Sequence, residues 1–320
     1  MVFMLGPVSS RRSSIWLIVM AINMLPRMPS ASGQRPQRDS PVFRSEIALV
    51  SLNVAVKGHT NKPVPELIAG DFTVFEDSVP QPILSVSRQR IPLGLALLLD
   101  TSASMENKLG LAQLAASEFV QRMAPDDQAA VIDFDSRVQL LQPFTNDVLA
   151  LQAAIKRTAA GGSTALFNAL YIALKDLEKA RASTPEEIRR QAIVVLSDGE
   201  DTSSLVPFED VLDVAKRSHT SIYAIGIHSK EPGTTQHPSD GDFVLRRLAQ
   251  ETGGLAYFPT GAEDLPRIYR EVADELTTQY LVAYAPINNA RDGKWRRLNV
   301  RVNRPDCVAR TRTGYYAPKR

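Results

Sequence analysis

Residues 93–100, LGLALLLD, are apolar almost without interruption and end in an acid. A strand with one wet face alternates polar and apolar side chains. An unbroken apolar run of this length therefore reads as a strand buried on both faces of a parallel sheet. The residues that follow supply the cover such a strand needs. Segment 108–123 carries Leu111, Leu114, Ala115 and Phe119 at helical spacing. Further strands are expected over 129–134, 138–141, 192–196, 221–227 and 256–258, and helices over 147–157, 166–182, 208–217, 242–250 and 262–277. This alternation implies an α/β fold with a doubly wound, mostly parallel sheet and right-handed crossovers, whose ligands collect at the carboxyl ends of the strands.

Both flanks read as β structure. IALVSLNVAV (47–56), DFTVFE (71–76) and ILSV (83–86) are short alternating runs separated by proline and glycine. After the helical pattern come QYLVAYAP (279–286), a turn over 289–294, WRRLNVRVNR (295–304) and VARTRTGYYAP (308–318). Neither flank is large enough to bury a core alone. They are expected to join into one small antiparallel β domain, 44–91 with 278–320, with an α/β domain at 92–277 inserted between them and a flexible segment at 34–43.

The first 33 residues contain Arg11, Arg12 and Arg27 and no acid; Arg11 and Arg12 precede an apolar run from Ile15 to Leu25, and Ser30, Ala31, Ser32 and Gly33 follow. That pattern matches a secretory signal peptide cut after Gly33, with an uncleaved N-terminal anchor as the alternative. Removing these residues takes the formal charge from +2 to −1. Such a balance gives no electrostatic case for nucleic acid. Arg296, Arg297, Arg301 and Arg304 alternate with apolar residues and read as a solvated sheet face. Cys307 is the single cysteine, which rules out an intramolecular disulfide, a zinc finger or a dithiol site and leaves a small hydrophobe. The leader points to an extracytoplasmic protein, periplasmic, envelope-bound or secreted, of bacterial type.

Three short runs, each expected at the end of a strand, carry the chemistry. Asp100, Ser102 and Ser104 follow the buried run; Gly161, Gly162, Ser163 and Thr164 precede the helix near Leu166; Asp198, with Glu200 and Asp201 behind it, follows the AIVVL strand. Each alone reads as ordinary helix capping or turn chemistry. Together, at one edge of one sheet, they offer hard oxygen donors without sulfur or imidazole, which suit Mg²⁺, Ca²⁺ or Mn²⁺. Glu200 and Asp201 read equally as solvated loop acids and as groups supporting the ligands.

At these residues the chain resembles the von Willebrand factor A domains. Asp100-Thr101-Ser102-Ala103-Ser104 is similar to the DxSxS signature of their metal-ion-dependent adhesion site, Thr164 to its isolated threonine and Asp198 to its second aspartate. The resemblance spans about 185 residues, and DFTVFED and the segment from QYLVAYAP to GYYAP resemble the flanks of bacterial exported proteins of this type. It implies a Rossmann-like fold with a divalent cation, Mg²⁺ or another such as Ca²⁺ or Mn²⁺, contacted by Ser102, Ser104 and Thr164 and bound directly or through water by Asp100 and Asp198. It also implies a protein partner that offers an Asp or Glu to the cation, with no nucleic acid and with the membrane involved only through an uncleaved anchor.

Two other readings stand beside this one. In the first, the metal only stiffens the edge of the sheet. In the second, a metal-dependent hydrolase, a general base is needed, yet none of His59, His219, His228 and His237 falls in the three runs. Asp100-Thr101-Ser102 also lacks the second acid of an aspartyl-phosphate motif, and the GxxxxGK[ST] loop is absent. The sequence therefore reads as a binding module and not an enzyme.

Overall fold

LGLALLLD is a strand from the middle of a six-stranded sheet, and every one of its residues is buried. A computed structural model describes residues 49–183, 189–227 and 239–319. Along them run β1 (Val50–Lys57), β2 (Phe72–Glu76), β3 (Val79–Gln81), β4 (Ile83–Ser87), β5 (Leu93–Asp100), α1 (Leu109–Gln121), β6 (Gln128–Phe134), β7 (Val138–Thr145), α2 (Val148–Lys156) and α3 (Leu166–Ser183). They continue with β8 (Arg190–Ser197), α4 (Phe208–Ser218), β9 (Ser221–Gly226), α5 (Asp240–Thr252), β10 (Ala256–Tyr257), α6 (Leu265–Thr278), β11 (Tyr280–Tyr284), β12 (Trp295–Val302), β13 (Val308–Arg310) and β14 (Gly314–Tyr316).

The central sheet has the order β10-β9-β8-β5-β6-β7 and is parallel except for β7, which returns antiparallel along β6. Alternate residues of β5 serve opposite layers. Leu95, Leu97 and Leu99 pack with α1, α2 and α6, while Ala96 and Leu98 pack with α3, α4 and α5. Helices on both sides explain the missing polar alternation. The expected apolar face of α1 is corrected. Leu111 and Leu114 are 42% and 53% exposed, and the buried stripe is Leu109, Ala112, Ala115, Ala116, Phe119 and Val120. Both stripes have helical spacing, and the one rich in alanine faces the core, where small side chains let the helix lie close to its neighbours.

The flanks join as the sequence implies, in two four-stranded antiparallel sheets, β13-β1-β11-β4 and β14-β12-β2-β3. Leu52, Val54, Phe72, Val74, Tyr280, Val282, Leu298 and Val300 fill a common core between them. VARTRTGYYAP departs from a single strand: its first part pairs with β1 and its second with β12. Thr311 Oγ1 donates to the Asn53 carbonyl at 2.8 Å and the Thr313 amide to the Glu251 carbonyl at 3.3 Å, which fixes the chain where it passes from one sheet to the other. Arg296 also departs from the solvated face. It shares the inward side of β12 with Leu298 and Val300, and at the strand's end its guanidinium reaches Asp292 at 3.0 Å. Cys307 packs, partly buried, against this core. Among the described residues no helix is long and apolar enough to cross a membrane; the expected leader, 1–33, lies outside them.

One buried acid organises the sandwich. Glu76 Oε2 accepts from the Tyr284 hydroxyl at 2.6 Å and from the Tyr315 hydroxyl at 2.8 Å, joining strands of both sheets. Hydrogen bonds to a charged group are worth about 1.5–3 kcal/mol. Tyr284→Phe should lower unfolding free energy by about that amount in urea denaturation. An unchanged midpoint would mean that Tyr315 alone satisfies the acid.

Candidate metal centre

Asp100 is the last residue of β5 and is fully buried. Its Oδ1 accepts from the Ser102 amide at 2.9 Å and its Oδ2 from the Ser197 hydroxyl at 2.6 Å. Ser197 ends β8, whose register sets Leu196 beside Leu99, so the two strands finish level. Burial pushes the Asp100 carboxyl up to about 6; the Ser102 and Ser197 hydrogen bonds oppose that rise and the nearby Asp198 charge adds to it.

Asp198, the residue after β8, is also buried. Ser104 Oγ donates to Asp198 Oδ2 at 2.6 Å, and Ser102 Oγ lies 3.1 Å from Ser104 Oγ. Asp198 Oδ1 accepts from the Glu200 amide at 3.2 Å. Gly199 shapes this loop: its φ is +83°, and a Cβ there would fall 2.8 Å from the Gly241 backbone. Both facts demand glycine.

The third run is corrected in position. Residues 161–164 do not end a strand; they connect α2 to α3. Backbone hydrogen bonds nevertheless carry them to the site. The Gly161 amide donates to the Thr101 carbonyl at 2.7 Å and the Ala103 amide to the Gly162 carbonyl at 3.1 Å. From the other side, the Thr202 and Ser203 amides donate to the Thr164 carbonyl at 2.9 and 3.0 Å, and the Thr164 amide donates to Thr202 Oγ1 at 3.0 Å. The buried Thr164 is thus laced between the loops that carry Ser102 and Asp198.

The two acids beside Asp198 differ. Asp201 Oδ1 accepts from the Phe167 amide at 3.2 Å and the Ser204 hydroxyl at 2.6 Å, pinning its loop to the start of α3. Glu200 is exposed. Sequence reasoning missed Ser197 and Lys108. Lys108 Nζ donates to the Ile227 carbonyl at 3.1 Å; burial lowers its pKa, and Asp198 and Asp100 counter that shift. Ser197 was at least visible as the hydroxyl before Asp198, whereas nothing local marks Lys108.

Among the described residues no three His, Cys, Asp or Glu stand together as a metal cluster, so a cation here would need hydroxyl oxygens beside the two carboxylates. Hydroxyl and carboxylate oxygens suit hard divalent ions. A cation would also add direct positive charge to two buried neighbouring carboxylates whose nearby cation, Lys108, bonds to the Ile227 carbonyl instead. No histidine enters the three loops among the described residues. His59 lies in a turn after β1 and His219 follows α4 in a left-handed conformation, while His228 and His237 fall outside the described residues.

Residues 95–200 match the family described as von Willebrand factor type A domain. A UPF0353 protein of Mycolicibacterium paratuberculosis is 24% identical over 295 residues, covering 83% of this chain and 77% of the relative. An uncharacterised protein of Synechocystis is 34% identical over 117 residues, covering 35% of this chain and 26% of its own length. Among solved structures, a von Willebrand factor type A protein from Catenulispora acidiphila superposes with a TM-score of 0.50 at 13% identity, covering 86% of this chain and 75% of that one. The last likeness shows the fold.

Proposed function

Taking as premise that this chain carries a von Willebrand factor type A domain, we propose that it is a divalent-cation-dependent protein-binding module. The reading rests above all on one contact, the Ser104 hydroxyl on Asp198 at 2.6 Å with Ser102 Oγ 3.1 Å away, which gathers donors from two separate loops. Asp100 and Asp198 would neutralise the cation, and Ser102, Ser104 and Thr164 would complete an oxygen set without adding charge. Mg²⁺ is the first choice, with Ca²⁺ or Mn²⁺ as alternatives. A divalent cation held there would act as a Lewis acid toward an Asp or Glu of another protein. The surrounding loops would then select among acidic partners. The leader sequence supports an extracytoplasmic setting, at a bacterial envelope or secreted, and the near-zero formal charge gives no electrostatic case for nucleic acid.

Calorimetric titration with MgCl₂, CaCl₂ and MnCl₂ tests the first step, and capture of partners from native envelope extract with and without EDTA tests the second. One ion per chain and EDTA-sensitive capture are expected. If EDTA lowers thermal stability but leaves capture unchanged, the cation is a structural brace. If none of the three ions binds at about 1 mM, the reading fails.

A further inference from the structure

At the opposite end of β8 from Asp198, the sheet edge and the sandwich border a half-open cavity of about 560 Å³. Arg181, Arg190, Arg312 and His219 line it, and among the described residues no aspartate or glutamate does. Arg190 and Arg312 are the informative pair. Arg190 Nη1 donates to Gln279 Oε1 at 3.2 Å, and its Nε and Nη2 both donate to the Ile91 carbonyl at 3.3 Å. Arg312 Nη2 donates to the Ser51 carbonyl at 3.4 Å and Nη1 contacts His219 Nδ1, while its Nε is buried without a partner. None of these partners is a carboxylate. Asp127, the carboxylate that acts on Arg190 at longer range, is held by Arg90 at 2.7 Å.

Both arginines are partly buried, and a guanidinium partly withdrawn from water normally meets a carboxylate, because desolvation of an uncompensated charge is costly. Burial lowers the Arg312 pKa to about 10, the same penalty expressed as a titration. Planar guanidiniums match oxyanions in geometry, and Ile91, Leu281, Pro286 and Tyr315 add apolar wall. The volume falls in the range of small-molecule sites. We propose that this cavity binds a small organic oxyanion, a carboxylate or a phosphate monoester carrying an apolar body. The site is separate from the cation-binding edge and does not depend on it.

The full chain would be titrated calorimetrically with phenyl phosphate, benzoate, inorganic phosphate and, as a cation of similar size, benzylamine. Phenyl phosphate or benzoate should bind one per chain, the tighter of the two identifying the head group. Inorganic phosphate should bind more weakly and benzylamine not at all. Arg312→Gln, folded by circular dichroism, should weaken the anion by roughly tenfold or more. Should that variant fail to fold, the contrast between anion and cation in the unaltered chain still decides. Binding of benzylamine as tight as that of the anions, no anion binding at about 10 mM, or unchanged affinity in folded Arg312→Gln would each overturn the assignment.

Discussion

Asp198→Ala should weaken divalent-cation binding by at least about 100-fold while leaving the fold intact. Groups that only support metal ligands are worth about 10–100-fold in affinity, so if Asp198 is one of the two carboxylates proposed to hold the cation, its loss should reach at least the upper end of that range. The fold should tolerate the change because the carboxylate touches little else. Its hydrogen bonds are to Ser104 Oγ and the Glu200 amide, both at the loop edge. Removing it also relieves the repulsion that helps raise Asp100. Asp100→Ala is a poorer probe, since that side chain is fully buried and anchors both Ser102 and Ser197. Melting curves supply the control. At a free Mg²⁺ concentration of 100 times Kd, the unaltered protein should gain about 2.7 kcal/mol over its EDTA-treated form, whereas the variant should gain almost nothing. Wild-type affinity in a folded Asp198→Ala would remove Asp198 from the site.

The same loops show what a sequence can and cannot reveal. Residues 93–100 exposed the α/β core because burial on both faces leaves a compositional trace in the strand itself. Asp100 and Asp198 were legible at strand ends for the same reason. The position of Thr164 depends instead on backbone hydrogen bonds to Thr101, Ala103, Thr202 and Ser203, which are distant in sequence and carry no side-chain signature. Leu111 and Leu114 misled because helical periodicity gives the spacing of a stripe and not which of two stripes faces inward. Arg296 misled differently: it adjoins Arg297, and period two sends neighbours to opposite faces of β12, so only Arg297 and Arg301 share the solvated face while Asp292 receives Arg296 on the inward one. Lys108 and the arginines of the cavity gave no local sign, since their meaning lies in what surrounds them.

Glu275→Ala should cost about 3–5 kcal/mol, the usual penalty for stripping one partner from a buried ion pair. Glu275 sits on α6 with its side chain 2% exposed. Its Oε2 lies 3.3 Å from Lys57 Nζ on β1, and its Oε1 accepts from the Arg310 guanidinium on β13 and from the Tyr223 hydroxyl on β9 at 2.8 Å. One carboxylate therefore joins the central sheet, a covering helix and two strands of the sandwich. Its loss leaves two cations, themselves only 16% and 25% exposed, without a counter-charge. Glu275→Gln separates charge from hydrogen bonding: the amide oxygen can still accept from Tyr223, so a loss close to that of alanine would show that charge dominates. Tyr223→Phe keeps the charges and deletes a hydroxyl that also accepts from Gln279 Nε2 at 2.9 Å, and should cost about 1–3 kcal/mol. In a domain of this size each kcal/mol moves the melting temperature by roughly 2–4 °C, so the alanine variant should melt about 6–20 °C lower. Urea denaturation measures the free energies directly. A cost for Glu275→Ala below about 1 kcal/mol would mean that these ions find water or other partners when the carboxylate is gone, and that packing alone holds the sandwich to the central sheet.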